Sequence, residues 1–203
     1  AGGVGGFVLG AAGGGLDDLI VSPLHARAEP WRYLTRICAL GGGRQSVFDG
    51  VLTWQCGRAV EARLGPLWMA GLIVIAALAA SATEVLFYNS PIGLSGVVYA
   101  FALFAWSRGR HDPSFRDIVD QRTLNFLIGW FFLCIIATAT GFMRIANGAH
   151  FGGAAIGFLL GMRKPWLAPV ALALLGAGVA YRLDSSRASL PNWNLQQRAV
   201  DAL

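Results

Sequence analysis

Residues 124–143 run for twenty positions without a charged side chain and are rich in Phe, Trp and Ile. In α-helix such a stretch rises about 30 Å, the thickness of a bilayer's hydrocarbon core. It is not alone. Residues 66–83 also lack charge, 145–162 hold a single histidine, 92–107 are uncharged beyond an Asn-Ser-Pro interruption, and 166–181 form a shorter apolar stretch. Residues 45–64 make a weaker span, because Asp49, Arg58, Glu61 and Arg63 fall within them. That segment suits a membrane only if its polar groups face the inside of a bundle. The expected fold class is therefore all-α, a polytopic transmembrane helical bundle. Residues 1–16 carry no charge, yet eight of them are Gly, which disfavours helix by up to about 1 kcal/mol each relative to Ala. The organisation expected is a Gly-rich segment over 1–28 that makes a poor first span, a membrane core over 29–163, an additional transmembrane helix over 164–183 and a polar tail over 184–203.

Composition agrees and removes other classes. Of 203 residues 55% are apolar and 13% charged, about half the charge of an ordinary globular chain, so a disordered chain is excluded. Three cysteines, Cys38, Cys56 and Cys134, are too few and too scattered for a disulfide scaffold, and their spacing suits neither zinc nor redox work. The net charge is +5, but the basic residues are almost all Arg, strung through loops between apolar runs. This is the positive flank of membrane spans and not a nucleic-acid surface. Arg108, Arg110, Arg116 and Arg122 share one loop, and Arg163 and Lys164 another, so the positive-inside rule puts both in the cytoplasm and the start of the 92–107 helix outside. Arg27, Arg32, Arg36 and Arg44 run against that rule, in a segment able to fold back onto the membrane interface. The 66–83 span stretches to Tyr88 if Glu84 lies near an interface. Glu61 and Arg63 are expected to contact neighbouring helix ends and fix the turn before Pro66. No metal, cofactor or nucleotide motif is present.

Two polar points stand inside the apolar spans. Ser95 lies in Gly93-Leu94-Ser95-Gly96, just past Pro91. A Ser where a helix begins has unpaired backbone N–H groups around it that point at any developing anion, and flanking glycines let a substrate backbone approach closely. Small residues also serve plain helix packing, the alternative reading of this motif. His150 is the one histidine of three within a span, and an ionisable group there defaults to a functional hypothesis. Gly153, Gly157 and Gly161 follow it at +3, +7 and +11, on or near the His face. They leave that face bare for a neighbouring helix. If the neighbour carries Ser95, a nucleophile and a base meet within the membrane.

The residues Gly93-Leu94-Ser95-Gly96-Val97-Val98-Tyr99-Ala100 and Ala146-Asn147-Gly148-Ala149-His150, with the glycines that follow, resemble the signature of rhomboid intramembrane serine proteases. Trp31-Arg32 and Gly57-Arg58-Ala59-Val60-Glu61-Ala62-Arg63-Leu64-Gly65 are similar to two further motifs of that family. The resemblance implies a six-helix core, with an extra C-terminal helix here, and a Ser95–His150 catalytic dyad without a carboxylate or cofactor. It also implies that Tyr99, four residues after Ser95, packs against the imidazole. At the two positions where the family carries a His and an Asn that help bind the oxyanion, this sequence has Gln45 and Asp49. Gln45 keeps an amide donor; Asp49 donates only when protonated. Losing one such donor typically costs about 10²- to 10³-fold in rate. Gln45, Asn147 and Ser95 are expected to line a hydrophilic cavity that admits water.

Three functions follow from this reading. The first is an intramembrane serine endopeptidase acting on transmembrane protein substrates, in the cell membrane of a prokaryote. The second is a catalytically impaired relative that binds membrane segments without cleaving them, which the altered oxyanion positions favour. The third is a small-solute transporter, for which a helix broken at Pro91 and an intramembrane His would also be expected. The inverted repeat typical of that class is not visible in the sequence.

Overall fold

A computed structural model describes residues 31–35, 43–87, 93–143, 145–164 and 166–188, with the side chains of 32, 43–46, 48 and 183–188 outside the description. The expectations for segment 1–28, Cys38, the interruption before Pro91 and the tail beyond 188 fall outside the described residues. The regular structure of those residues is helical, without a strand: α1 (Arg32–Thr35), α2 (Gly43–Leu64), α3 (Pro66–Phe87), α4 (Ser95–Gly109), α5 (Gln121–Ala139), α6 (Asn147–Gly161) and α7 (Leu167–Ala188), with a 3₁₀ turn at Pro113–Phe115. Two of them, α3 and α5, are long and apolar enough to cross a membrane. The outward face of α5 carries Ile128, Phe132, Ile135 and Ile136 in the open, a surface that needs lipid and not water around it.

Helix ends follow local chemistry more than the limits of uncharged runs. α5 begins at Gln121, ahead of the expected 124, because Asp120 caps it by accepting the Thr123 N–H at 2.7 Å. It ends at Ala139, short of 143, where Gly141 turns left-handed at φ 74°. Gly65, at φ 87°, lets α2 stop and α3 start with no residue between them but itself. α4 starts at Ser95 and not near Ile92. α7 runs on to Ala188, beyond the apolar stretch that ends at Tyr181: charge ends immersion in lipid, but no Gly or Pro stops the helix before Pro191.

The contacts give each helix its direction. Glycines 153, 157 and 161 of α6 lie against residues 96, 100 and 104 of α4, so those two helices run parallel. Gly148 meets Glu84 while Gly152 meets Ala79 and Thr83, so α3 runs antiparallel to α6. Their shared core contains Val60, Leu72, Ala76, Val97, Phe101 and Ile156. At the far end Arg63 donates to the Ser114 carbonyl and pairs with Asp117 at 3.0 Å, and its guanidinium lies over the buried Phe115 ring. Arg63 thus ties the end of α2 to the loop after α4. The Glu61 side chain is exposed, and the turn before Pro66 is closed by its backbone: the Gly65 N–H donates to the Glu61 carbonyl at 2.7 Å, with Gly65 left-handed.

Candidate active site

The site is built where α4 and α6 begin. Ser95 is the first residue of α4, and Leu94 before it provides no side-chain cap; the Val97 and Val98 N–H groups reach the Leu94 carbonyl, whereas the Ser95 and Gly96 N–H groups precede the first position that can find an intrahelical acceptor. His150 lies in the first turn of α6. The parallel course of the two helices brings both starts to the same end of the bundle, and Ser95 Oγ lies 2.8 Å from His150 Nε2. Both are buried, Ser95 at 7% and His150 at 2% exposure. His150 Nδ1 has no hydrogen-bond partner among the described residues, so none of their carboxylates extends the pair.

The close approach depends on missing side chains. A Cβ at Gly153 would run into the Gly96 carbonyl, and one at Gly157 into the Ala100 carbonyl; at Gly161 it would come within 2.6 Å of the Phe104 carbonyl. Gly96 contributes from the other helix, since its Cβ would sit 2.8 Å from Ala80 Cβ and 3.0 Å from the Ala149 carbonyl. Its smallness therefore serves packing against α3 and α6, the second of the two readings the sequence left open for this glycine. Gly93 is buried just before α4.

Tyr99, one turn after Ser95, places its ring 4.9 Å from the imidazole at an interplanar angle of 33°. Its hydroxyl donates to the Leu127 carbonyl of α5 at 2.9 Å. Phe131 of α5 meets the Tyr99 ring edge-on, with centroids 6.1 Å apart. Imidazole and phenol are thus fixed between three helices.

Ser95 and His150 open onto a cavity of about 500 Å³, otherwise lined mainly by apolar side chains such as Leu52, Leu127, Trp130, Leu133 and Met143. Asp49 of α2, 4% exposed, is its acidic member. The Gln45 side chain lies outside the described ones. Asn147, expected to line the cavity, does not. Its amide turns to α5 and donates to Thr138 Oγ1 at 2.9 Å, because the start of α6 packs beside the end of α5. Cys56 and Cys134 are free and buried. No group of His, Cys, Asp or Glu able to hold a metal ion occurs among the described residues.

Sequence reasoning missed Glu84. Near the end of α3, it is fully buried and accepts the Ala149 N–H at 3.1 Å. The available signal was its isolation as an acid at the end of an apolar span. The carbonyl of Leu127 and the hydroxyl of Thr138 were missed too, since neither carries a sequence mark.

A family model described as Rhomboid domain matches residues 27–165. The chain is 35% identical over 138 residues to Rhomboid protease GlpG of Enterobacter sp. (strain 638), covering 65% of this chain and 48% of that protein. It is 33% identical over 135 residues to the proteins of the same name from Salmonella paratyphi A and Salmonella newport, with the same coverage. The chain spans about half the length of the curated relatives it matches. With well over half of its residues under the family model, Ser95 and His150 among them, the chain belongs to the rhomboid family.

Proposed function

We propose that the chain is a multi-pass protein of a prokaryotic cell membrane that cleaves transmembrane protein substrates, with Ser95 as nucleophile and His150 as general base. The observation that carries this reading is the 2.8 Å contact between Ser95 Oγ and His150 Nε2 at the wall of the cavity. A serine hydroxyl is a weak nucleophile until a base takes its proton, and a neutral imidazole suits that task near neutral pH. Ser95 Oγ–H donates to Nε2, which puts the ring's own proton on Nδ1. Oγ attacks the substrate carbonyl carbon as its proton passes to Nε2. The tetrahedral intermediate collapses, the C–N bond breaks, and Nε2–H protonates the leaving amine. Water, deprotonated by Nε2, then attacks the acyl ester and releases the acid and free Ser95. Tyr99 holds the imidazole in plane throughout, through ring contact and its tether to Leu127. The Ser95 backbone N–H serves the oxyanion, with the Gln45 amide and a protonated Asp49 as the side-chain donors. Substrate segments enter from the lipid and unwind to present an extended backbone.

Asp49 favours a second reading, since an ionised carboxylate in this cavity opposes a forming oxyanion. On that reading the chain binds membrane segments without cutting them. Purified protein and Ser95→Ala, compared on a model transmembrane substrate and on a fluorophosphonate probe, separate the two. Cleavage and labelling by the wild type alone support the protease. Equal inertness on substrate and probe supports the binder, and activity that survives Ser95→Ala removes Ser95 from the mechanism. Gln45→His combined with Asp49→Asn is expected to raise turnover; no rise means that these are not the oxyanion positions.

A further inference from the structure

We infer that Glu84 is a positioning residue: it caps the catalytic helix α6 from the neighbouring helix α3 and so holds His150 against Ser95. The inference rests on the protease reading above. A helix start needs acceptors for its first N–H groups, and a side-chain oxygen at the N-cap normally supplies one to the second or third residue. α6 has none of its own. Its N-cap is Ala146, with no side-chain cap bond, and the Asn147 amide is committed to Thr138. The Ala149 N–H, third in the helix, reaches Glu84 Oε2 at 3.1 Å and shares itself with the Ala146 carbonyl at 3.1 Å. Glu84 thus does from another helix what Ser, Asp or Asn would do at position 146.

The surroundings leave α6 little room to settle elsewhere. A Cβ at Gly148 would lie 2.8 Å from Glu84 Oε2 and 3.0 Å from Glu84 Cα. On the opposite side the Ala149 carbonyl abuts Gly96, the residue after Ser95. The peptide just before His150 is therefore pinned between the Glu84 carboxyl and the backbone beside the nucleophile. Losing the acceptor frees the first turn of α6, and with it the imidazole, while the cavity wall that meets substrate stays intact.

The test compares wild type with Glu84→Gln, which keeps an acceptor oxygen at the same reach, and Glu84→Leu, which has none. Glu84→Gln is expected to keep kcat and fluorophosphonate labelling within about threefold of wild type, and Glu84→Leu to lose about tenfold or more in kcat with KM little changed. Amide exchange at Ala149, which needs no turnover, is expected to quicken in Glu84→Leu and not in Glu84→Gln. A folded Glu84→Leu with wild-type labelling and exchange, or a folded Glu84→Gln as impaired as Glu84→Leu, overturns the inference. A wild type inert to substrate and probe overturns the protease reading instead, and the exchange comparison still decides the cap. Should Glu84→Leu fail to fold, Glu84→Met takes its place. If neither folds, the Gln variant decides alone: near wild-type labelling supports the acceptor role and its loss refutes it.

Discussion

The α4–α6 seam and helix α5 border the same cavity by opposite means. α4 buries 12 of its 15 residues, whereas α5 buries three of 19, Leu124, Leu127 and Cys134. Along the seam, small residues let backbone press on backbone, so geometry is set to within a fraction of a side chain. α5 turns most of its large side chains away from the bundle and meets the site through the Phe131 ring against Tyr99 and His150 and two hydrogen bonds, Tyr99 to Leu127 and Asn147 to Thr138. Precision at the Ser95–His150 pair thus comes mainly from the parallel helices, while α5 steadies the rings and closes the cavity over them. Side-chain size should be punished at the seam and ignored on α5.

The sharpest way to break that contrast is Gly157→Leu, whose side chain must displace the Ala100 carbonyl. Cleavage activity is expected to vanish, with loss of fold or a large drop in thermal midpoint; undiminished turnover in a folded protein would contradict the close-packing account. Gly153→Ala adds one methyl against the Gly96 carbonyl and is expected to cost about 1–3 kcal/mol, read from unfolding in detergent, together with slower labelling of Ser95. Tyr99→Phe keeps the ring on His150 and removes only the bond to Leu127, so about 1 kcal/mol is lost and labelling persists. Gly129→Ala on α5 meets nothing within 4 Å, so its stability change is expected to stay between zero and a gain of about 1 kcal/mol. A penalty as large as that at Gly153 would erase the difference between the two regions.

The smallest effect belongs to the cap of α5. The Thr123 N–H donated to Asp120 holds this carboxyl below its usual value, as the Ser114 hydroxyl does for Asp112. A depressed folded-state pKa stabilises above the unfolded value, and that contribution fades as pH falls through the folded one. Thermal midpoints should therefore slip slightly on acidification below about pH 4, and Asp120→Ala should flatten that slope.

The helices around the dyad and the family were legible because their marks are local. Apolar runs disclose spans, and a Ser between glycines and a His before a glycine series each announce themselves within a few positions. The role of Glu84 was not legible: an acid at position 84 becomes a cap only when α6 is antiparallel to α3 and lacks a capping side chain at Ala146. Asn147 misled for the same reason. Its amide had two neighbours to choose between, and which one it faces depends on where α5 ends, set by Gly141 several residues away. The start of α4 was placed too early because absence of charge does not distinguish a turn from a helix.

On the protease reading, the parallel pair also governs the fate of the pieces. Because Ser95 opens α4, the remaining 14 of its 15 residues, about 21 Å of rise, lie to one side of its hydroxyl. A membrane-spanning peptide severed by that hydroxyl would divide unequally: the stub on the near side would hold too few greasy residues to stay anchored and would diffuse into water, while the longer remnant would keep its hold on the bilayer.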